Sequence, residues 1–250
     1  MRDWGAICSD RVTSRMPRCI VVFTLLAVLG RTGAGQAPYR ATWWDAASVV
    51  TAVGFGLIPE AAGFPHGLPS CAPCDPASLP GIDRAALHTF SGGASTASTA
   101  LLGGVVGFAG LVALDGATAT QARGRVAVFG NSLAWTFAAT EWLKVLVHRN
   151  RPVLYTAAAP AAASAPDNRR SFPSGHAAVA FAAATSYLVM ARREGLPHRS
   201  RNAVLLYTGA VGVAALRVAA GKHFPTDVAG GAALGAAIGW LAARVHPTGR

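Results

Sequence analysis

Acidic residues are scarce in this chain of 250 residues: Asp and Glu number 11 against 22 Lys and Arg, which leaves a net charge of +11 at neutral pH. Charged residues of either sign make up only 13%, where a soluble domain carries roughly 25%. The chain is therefore short of solvated surface, and no carboxylate cluster exists to hold Mg²⁺. Cysteine is rare as well. Cys8 and Cys19 lie in or before an N-terminal apolar run, and no cysteine follows that run closely, so a bacterial lipoprotein signal is excluded. There is no internal repeat. The arginines do not gather in a dense patch with interleaved aromatics, as a nucleic-acid surface would require. They fall at the ends of apolar segments, so topology accounts for them and nucleic acid is not an expected partner.

What is abundant is apolar and small. Hydrophobic residues make up 52%, and there are 28 Gly; small residues let helices approach closely inside a bilayer. A soluble Ala-rich helical bundle is the competing reading of the same composition. Arg15, Pro17 and Arg18 precede the apolar run 19–30, and small residues follow at 33–37. This is the pattern of an export signal, with a first transmembrane segment as its rival and Met16 as an alternative start. Residues 1–37 are assigned to that segment, 38–86 to a periplasmic or interfacial stretch, and 87–250 to a helical core.

Five segments read as membrane-spanning helices: 89–114, 126–148, 176–191, 202–219 and 225–243. Each is close to the roughly 20 residues a span requires. The expected architecture is an all-α, multi-helix transmembrane bundle. The stretch 41–58, opened by Trp43 and Trp44, reads as a helix lying at the membrane surface. Arg123 and Arg125, Arg192 to Arg201, and Arg244 fall on one side of such a bundle, which the positive-inside rule makes cytoplasmic. The connections 149–173 and 217–225 then face outward, together with 38–86. A bacterial inner membrane with its functional end toward the periplasm is the expected setting. Residues 156–168 are low-complexity and read as a flexible loop. Cys71 and Cys74 form a C-x-x-C pair, for which a disulfide is expected in an oxidising compartment; redox and zinc-binding roles use the same spacing.

Three motifs carry the chemistry. Lys144 and Arg151 are seven apart, two helical turns, and Pro152 biases Arg151 out of the helix. Pro173-Ser174-Gly175-His176 precedes an apolar helix, whose N-terminal N–H groups and dipole suit phosphate. Ser174 adds a hydroxyl, although a plain N-cap explains it equally well. Gly175 permits close approach of the backbone. Arg217 ends one apolar segment, and His223 and Asp227 open the next at i,i+4, so the carboxylate can reach the imidazole. A carboxylate inside an apolar segment is costly and is functional by default.

In order and spacing these motifs resemble the type 2 phosphatidic acid phosphatase superfamily, whose members include lipid phosphatases, bacterial acid phosphatases and vanadium haloperoxidases. Its pattern is K-x6-RP, PSGH and SR-x5-H-x3-D. The chain departs from it at Leu216, where the family has serine. The resemblance covers about residues 90–243 and leaves the N-terminal third unexplained. It implies that His223 attacks phosphorus, Asp227 orients it, and His176 protonates the leaving oxygen and then activates water. Lys144, Arg151, Ser174, Gly175 and Arg217 would hold the equatorial oxygens, with no metal or other cofactor required. The expected partners are a phosphorylated lipid or small phosphate ester and the lipid bilayer. A soluble periplasmic acid phosphatase of broad specificity is the alternative; a vanadate-dependent haloperoxidase and an inactive membrane scaffold are further ones. No feature specifies an oligomeric state.

Overall fold

The structure, a computed structural model, describes residues 38–249. The expected export signal or first transmembrane segment, residues 1–37, lies outside the described residues. Six long helices dominate the rest: α1 (Trp43–Ala61), α2 (Gly92–Leu114), α3 (Ala119–Val147), α4 (Gly175–Arg193), α5 (Arg199–Ala219) and α6 (Pro225–Val245). The starts of α2 and α3 are capped from the side chain. Ser91 accepts from Ala94 N–H, and Thr118 and Gln121 form a reciprocal capping box, which satisfies N–H groups that have no partner inside a helix.

Helix α4 is the axis of the bundle, packed against α2, α3, α5 and α6. Its composition explains that place. Ala177, Ala178, Ala180, Ala182, Ala183 and Ala184 are all fully buried, and methyl side chains let neighbouring backbones come close. The tightest approach is α6. Gly231, Gly235 and Gly239 recur every four residues and so share one face. A Cβ on Gly235 would stand 1.8 Å from the Ala178 carbonyl oxygen, and one on Gly231 would stand 2.4 Å from that of Ser174. This glycine seam pins the start of α6 to the start of α4, where Ser174 N–H donates to the Asp227 carbonyl at 3.0 Å.

Among the described residues three helices, α2, α5 and α6, are long and apolar enough to cross a membrane. They expose large apolar side chains, among them Leu111, Val204, Val211, Trp240 and Leu241, the reverse of a water-facing surface. The segments 126–148 and 176–191 form helices where expected but are not among those three. Helix α3 carries buried polar groups along its length, and α4 is walled in by its neighbours.

Helix α1 departs from the expectation for 41–58. It does not lie across the end of the bundle but runs parallel to α3 along it. Asp45 meets Asn131, Ser48 meets Trp135, and Phe55 stacks on Trp142 at 4.9 Å, so contacts advance in the same direction on both helices. Ala52 and Gly56 make the close face; a Cβ on Gly56 would collide with the Phe137 ring at 2.6 Å. Tyr39, just before α1, is clamped at the end opposite the PSGH motif. Its hydroxyl donates to the Ala243 carbonyl at 2.8 Å, and its N–H donates to Glu194. Glu194 also pairs with Arg125 at 2.7 Å. Residues 38–86 therefore do not sit on one side: Tyr39 is at the arginine-bearing end, and residues past Ala61 are at the other.

The stretch 156–168 is also more ordered than its composition implies. It winds through short helical turns at Ala159–Ala162 and Pro166–Arg169, and Asn168 ties it by donating to the Ala162 carbonyl at 2.9 Å.

Candidate active site

The three motifs meet where α3 ends, α4 and α6 begin, and α5 ends. Helix α3 stops at Val147, and His148 takes a left-handed conformation with φ 52°. Arg151 is then extended, with ψ 160°, before the 3₁₀ turn Pro152–Tyr155. Lys144 and Arg151 thus do not share a helical face as their spacing suggested. A break in the helix turns Arg151 back, and its N–H donates to the Asn168 carbonyl at 2.8 Å. His176, in the first turn of α4, lies within electrostatic reach of Arg217, His223, Lys144 and Arg151, so all three motifs bear on one place.

Ser174 occupies the N-cap position of α4, yet its side chain makes no capping bond. Its hydroxyl is buried and has no partner among the described residues; the same holds for Nε of Arg151 and of Arg217, and for Nε of Arg169 and Arg170. Buried donors are almost always paired, and each of these can donate a hydrogen bond to an anionic oxygen. Gly175 borders the same space: a Cβ there would stand 3.5 Å from Lys144 Nζ. That is ordinary contact, so the protein alone does not demand glycine, but a methyl group would fill room in front of the ammonium.

His223 sits in the loop between α5 and α6 and is 2% exposed. Its Nδ1 is 2.7 Å from the Ser171 carbonyl oxygen. A carbonyl can only accept, so Nδ1 carries the proton and Nε2 keeps its lone pair. Burial pushes the His223 imidazole down to about 4; Asp227 opposes that shift, while Arg151 and Arg217 add to it. The ring is thus neutral across the physiological range.

The i,i+4 approach of Asp227 to His223 is looser than expected. Oδ2 stands 3.8 Å from Nδ1, beyond hydrogen-bond length. The Asp227 carboxylate instead accepts from the Ser171 hydroxyl at 2.5 Å, from Phe224 N–H at 2.9 Å and from Arg149 Nη1 at 2.5 Å. It caps α6 and serves the site at once.

Residues 125–250 match the sequence profile of the PAP2 superfamily. The chain belongs to the PAP2 superfamily. Its members include phosphatase-type hydrolases acting on phosphate esters. No curated protein and no solved structure matches the chain. The PAP2 match begins at Arg125, so α1, α2 and everything before α3 lie outside it, and yet α2 reaches the site. Ser98 of α2 accepts from Arg217 Nη1 at 3.3 Å, and Thr99 Oγ1 lies 3.2 Å from His176 Nε2. At position 216, where the family has serine, the chain has leucine; the hydroxyl that Arg217 meets is that of Ser98.

Several groups around the PAP2 motifs were not singled out from sequence. Glu141, 9% exposed, pairs with Lys144 at 2.5 Å and also with Arg170. Asp167 grips Arg151 through both carboxylate oxygens, at 2.7 and 2.9 Å. Arg149 and Asp83 stand behind Asp227. Only the i,i+3 spacing of Glu141 and Lys144 is a local signal. The others pair across the chain, and no spacing points to them. Cys71 and Cys74 are bonded as a disulfide, and Asn150, between the two site arginines, donates to Cys74 Sγ at 3.3 Å. Among the described residues no three His, Cys, Asp or Glu side chains form a group able to hold a metal ion.

Proposed function

We propose that this PAP2 protein is an integral membrane phosphatase. It hydrolyses phosphate monoesters or diphosphates of membrane lipids at the outer leaflet through a phosphohistidine, without a metal. The observation that carries this reading is a neutral, tautomer-fixed His223 within electrostatic reach of Arg151 and Arg217, whose Nε atoms, like the Ser174 hydroxyl, are buried donors without a partner among the described residues. Nε2 of His223 attacks phosphorus as the bond to the leaving oxygen breaks. His176 gives that oxygen its proton. The phosphoryl group is then bound to nitrogen, and His176, now neutral, takes a proton from water as the water attacks. Orthophosphate leaves and both histidines return to their first state. Lys144, Arg151, Ser174, the backbone at Gly175 and Arg217 neutralise charge on the equatorial oxygens, the largest contribution such a site makes.

The apolar exterior of α2, α5 and α6 favours a membrane setting over a soluble one. Arg123, Arg125, Arg192, Arg193, Arg199 and Arg201 lie at the end opposite His223, which supports an outward-facing site. In that orientation Tyr39 faces the cytoplasm and α1 leads outward.

The test is orthophosphate release without added metal from an isoprenyl diphosphate, phosphatidate and a small soluble ester, by wild type and His223→Ala. Lipid turnover that disappears in the variant is expected. Turnover of the soluble ester alone would replace the lipid assignment with a broad acid phosphatase. Equal rates in both proteins would overturn the histidine mechanism.

A further inference from the structure

Behind the proposed nucleophile lies a closed ring of hydrogen bonds whose outer members fall outside the three motifs. Ser171 N–H donates to the Arg149 carbonyl at 2.9 Å. The Ser171 carbonyl accepts from His223 Nδ1, and its hydroxyl donates to Asp227 Oδ2. Asp227 Oδ1 accepts from Arg149 Nη1, which returns to the start. His223 therefore hangs on the backbone of a residue whose amide, carbonyl and hydroxyl are all held.

Arg149 is itself held. Its Nη2 donates to Asp83 Oδ2 at 2.6 Å, its Nη1 also donates to Thr226 Oγ1 at 2.6 Å, and its guanidinium lies 4.6 Å over the Phe224 ring. Asp83 is fully buried and lies in the short turn Gly81–Arg84, well before the family-matched segment. It accepts from Thr226 N–H at 3.0 Å and from the Thr226 hydroxyl at 2.7 Å, so it also fastens the start of α6. One arginine is thus shared between two buried carboxylates, one of them the partner of the nucleophile's support. A buried carboxylate with no cation would be costly, and Arg149 is shaped to serve two at once.

We propose that Arg149 and Asp83 are positioning residues for phosphoryl transfer: Asp83 fixes the Arg149 fork, and Arg149 fixes Asp227 and Ser171, which together aim and polarise His223. The proposal rests on His223 as nucleophile. Neither residue touches substrate. Their charges have opposite signs and act through the same carboxylate, so removing them moves the imidazole in opposite directions. The charged or titratable groups facing His223 are Asp227 on α6, Arg151 after α3, Arg217 on α5 and His176 on α4; Arg149 and Asp83 stand one layer further back.

The experiment is steady-state hydrolysis by the full chain in detergent, over a range of pH, for wild type, Asp83→Asn, Arg149→Gln, the double variant and Arg149→Lys. Each single variant is expected to lose about tenfold or more in kcat, with KM changed far less, because only the aim of the attacking nitrogen is disturbed. The acid limb of kcat/KM moves up in pH in Arg149→Gln, where a cation behind Asp227 is gone. It moves down in Asp83→Asn, where an anion is gone, and it returns toward wild type in the double variant. Arg149→Lys keeps the charge and loses the fork, so its limb stays in place while kcat falls. This variant decides the matter should either neutral variant fail to fold. Limbs that move together or not at all, or a kcat unchanged in Arg149→Lys, overturn the proposal while leaving the phosphatase reading intact. Absence of any His223-dependent turnover in wild type overturns that reading instead.

Discussion

Nδ1 of His223 is bound to the backbone carbonyl of Ser171 at 2.7 Å. This contact assigns the tautomer by a backbone atom, which no side-chain substitution at position 171 removes. The carboxylate of Asp227, 3.8 Å away, acts on His223 as a charge and as the holder of the Ser171 hydroxyl. Ser171→Ala is therefore expected to keep the tautomer while loosening the carbonyl, and kcat falls about three- to tenfold, about 1 kcal/mol of transition-state stabilisation. Asp227→Asn removes the charge and falls much further. Kinetics of the two variants side by side check this ordering; a Ser171→Ala loss as deep as that of Asp227→Asn would assign the hydroxyl a larger part.

Asp167 holds the arginine proposed to bind a substrate oxygen. Its carboxylate takes both terminal nitrogens of Arg151 and is 62% exposed. Burial works against the charge of Arg151, and Asp167 is the largest influence opposing it. An incoming phosphate must displace or share this partner. Asp167→Asn is expected to lower KM and the inhibition constant of orthophosphate severalfold, with kcat little changed, since a pair whose carboxylate is exposed is worth about 1 kcal/mol or less. A raised KM would mean that Asp167 helps to seat the substrate.

The His223 imidazole, pushed down to about 4 by burial, sets the acid limb of the pH dependence. The neutral ring is the attacking form, and its folded value lies below the ordinary value of about 6.5. Attack is therefore available at all pH values above about 4 and is lost as pH falls through 4, not through 6.5. An acid limb of kcat/KM near the ordinary imidazole value would contradict the buried, neutral nucleophile.

The glycine seam of α6 is expected to control stability. Gly235→Ala places a methyl group 1.8 Å from the Ala178 carbonyl, which the helices relieve only by moving apart, at a cost of about 1–3 kcal/mol or more. Gly104→Ala, with nothing within 4 Å of the added carbon, is expected to leave stability unchanged or raise it by a few tenths to about 1 kcal/mol. Thermal unfolding in detergent separates them, with a clear fall in Tm for the first alone. Equal Tm values would remove the seam from the account of the fold.

Much of this arrangement is legible along the chain. Charge-free runs mark α2, α5 and α6, because a span leaves no place for solvated side chains. The Lys144, His176 and His223 motifs are legible because each falls on a helix end, where local spacing decides what points together. The direction of α1 is not local: it follows from Ala52 and Gly56 fitting against α3, a face with no partner visible in its own sequence. Asp83 is hidden for the same reason, being 66 positions from the arginine it holds. The role of Ser171 is carried by its backbone as well as its hydroxyl, and a carbonyl has no sequence signature. Asp167 lies in an Ala-rich stretch whose composition suggests a loop without fixed partners, although Asn168 beside it is anchored at both its carbonyl and its side chain.

The central claim is that phosphorus passes through His223. The most direct measurement is trapping of the enzyme during turnover of a ³²P-labelled substrate by quenching in alkaline detergent. The account predicts a protein-bound phosphate that is labile to acid, stable to base, mapped to His223 and absent in His223→Ala. Label that persists in His223→Ala, or steady turnover by wild type with no trapped label under conditions that slow the second step, would contradict it.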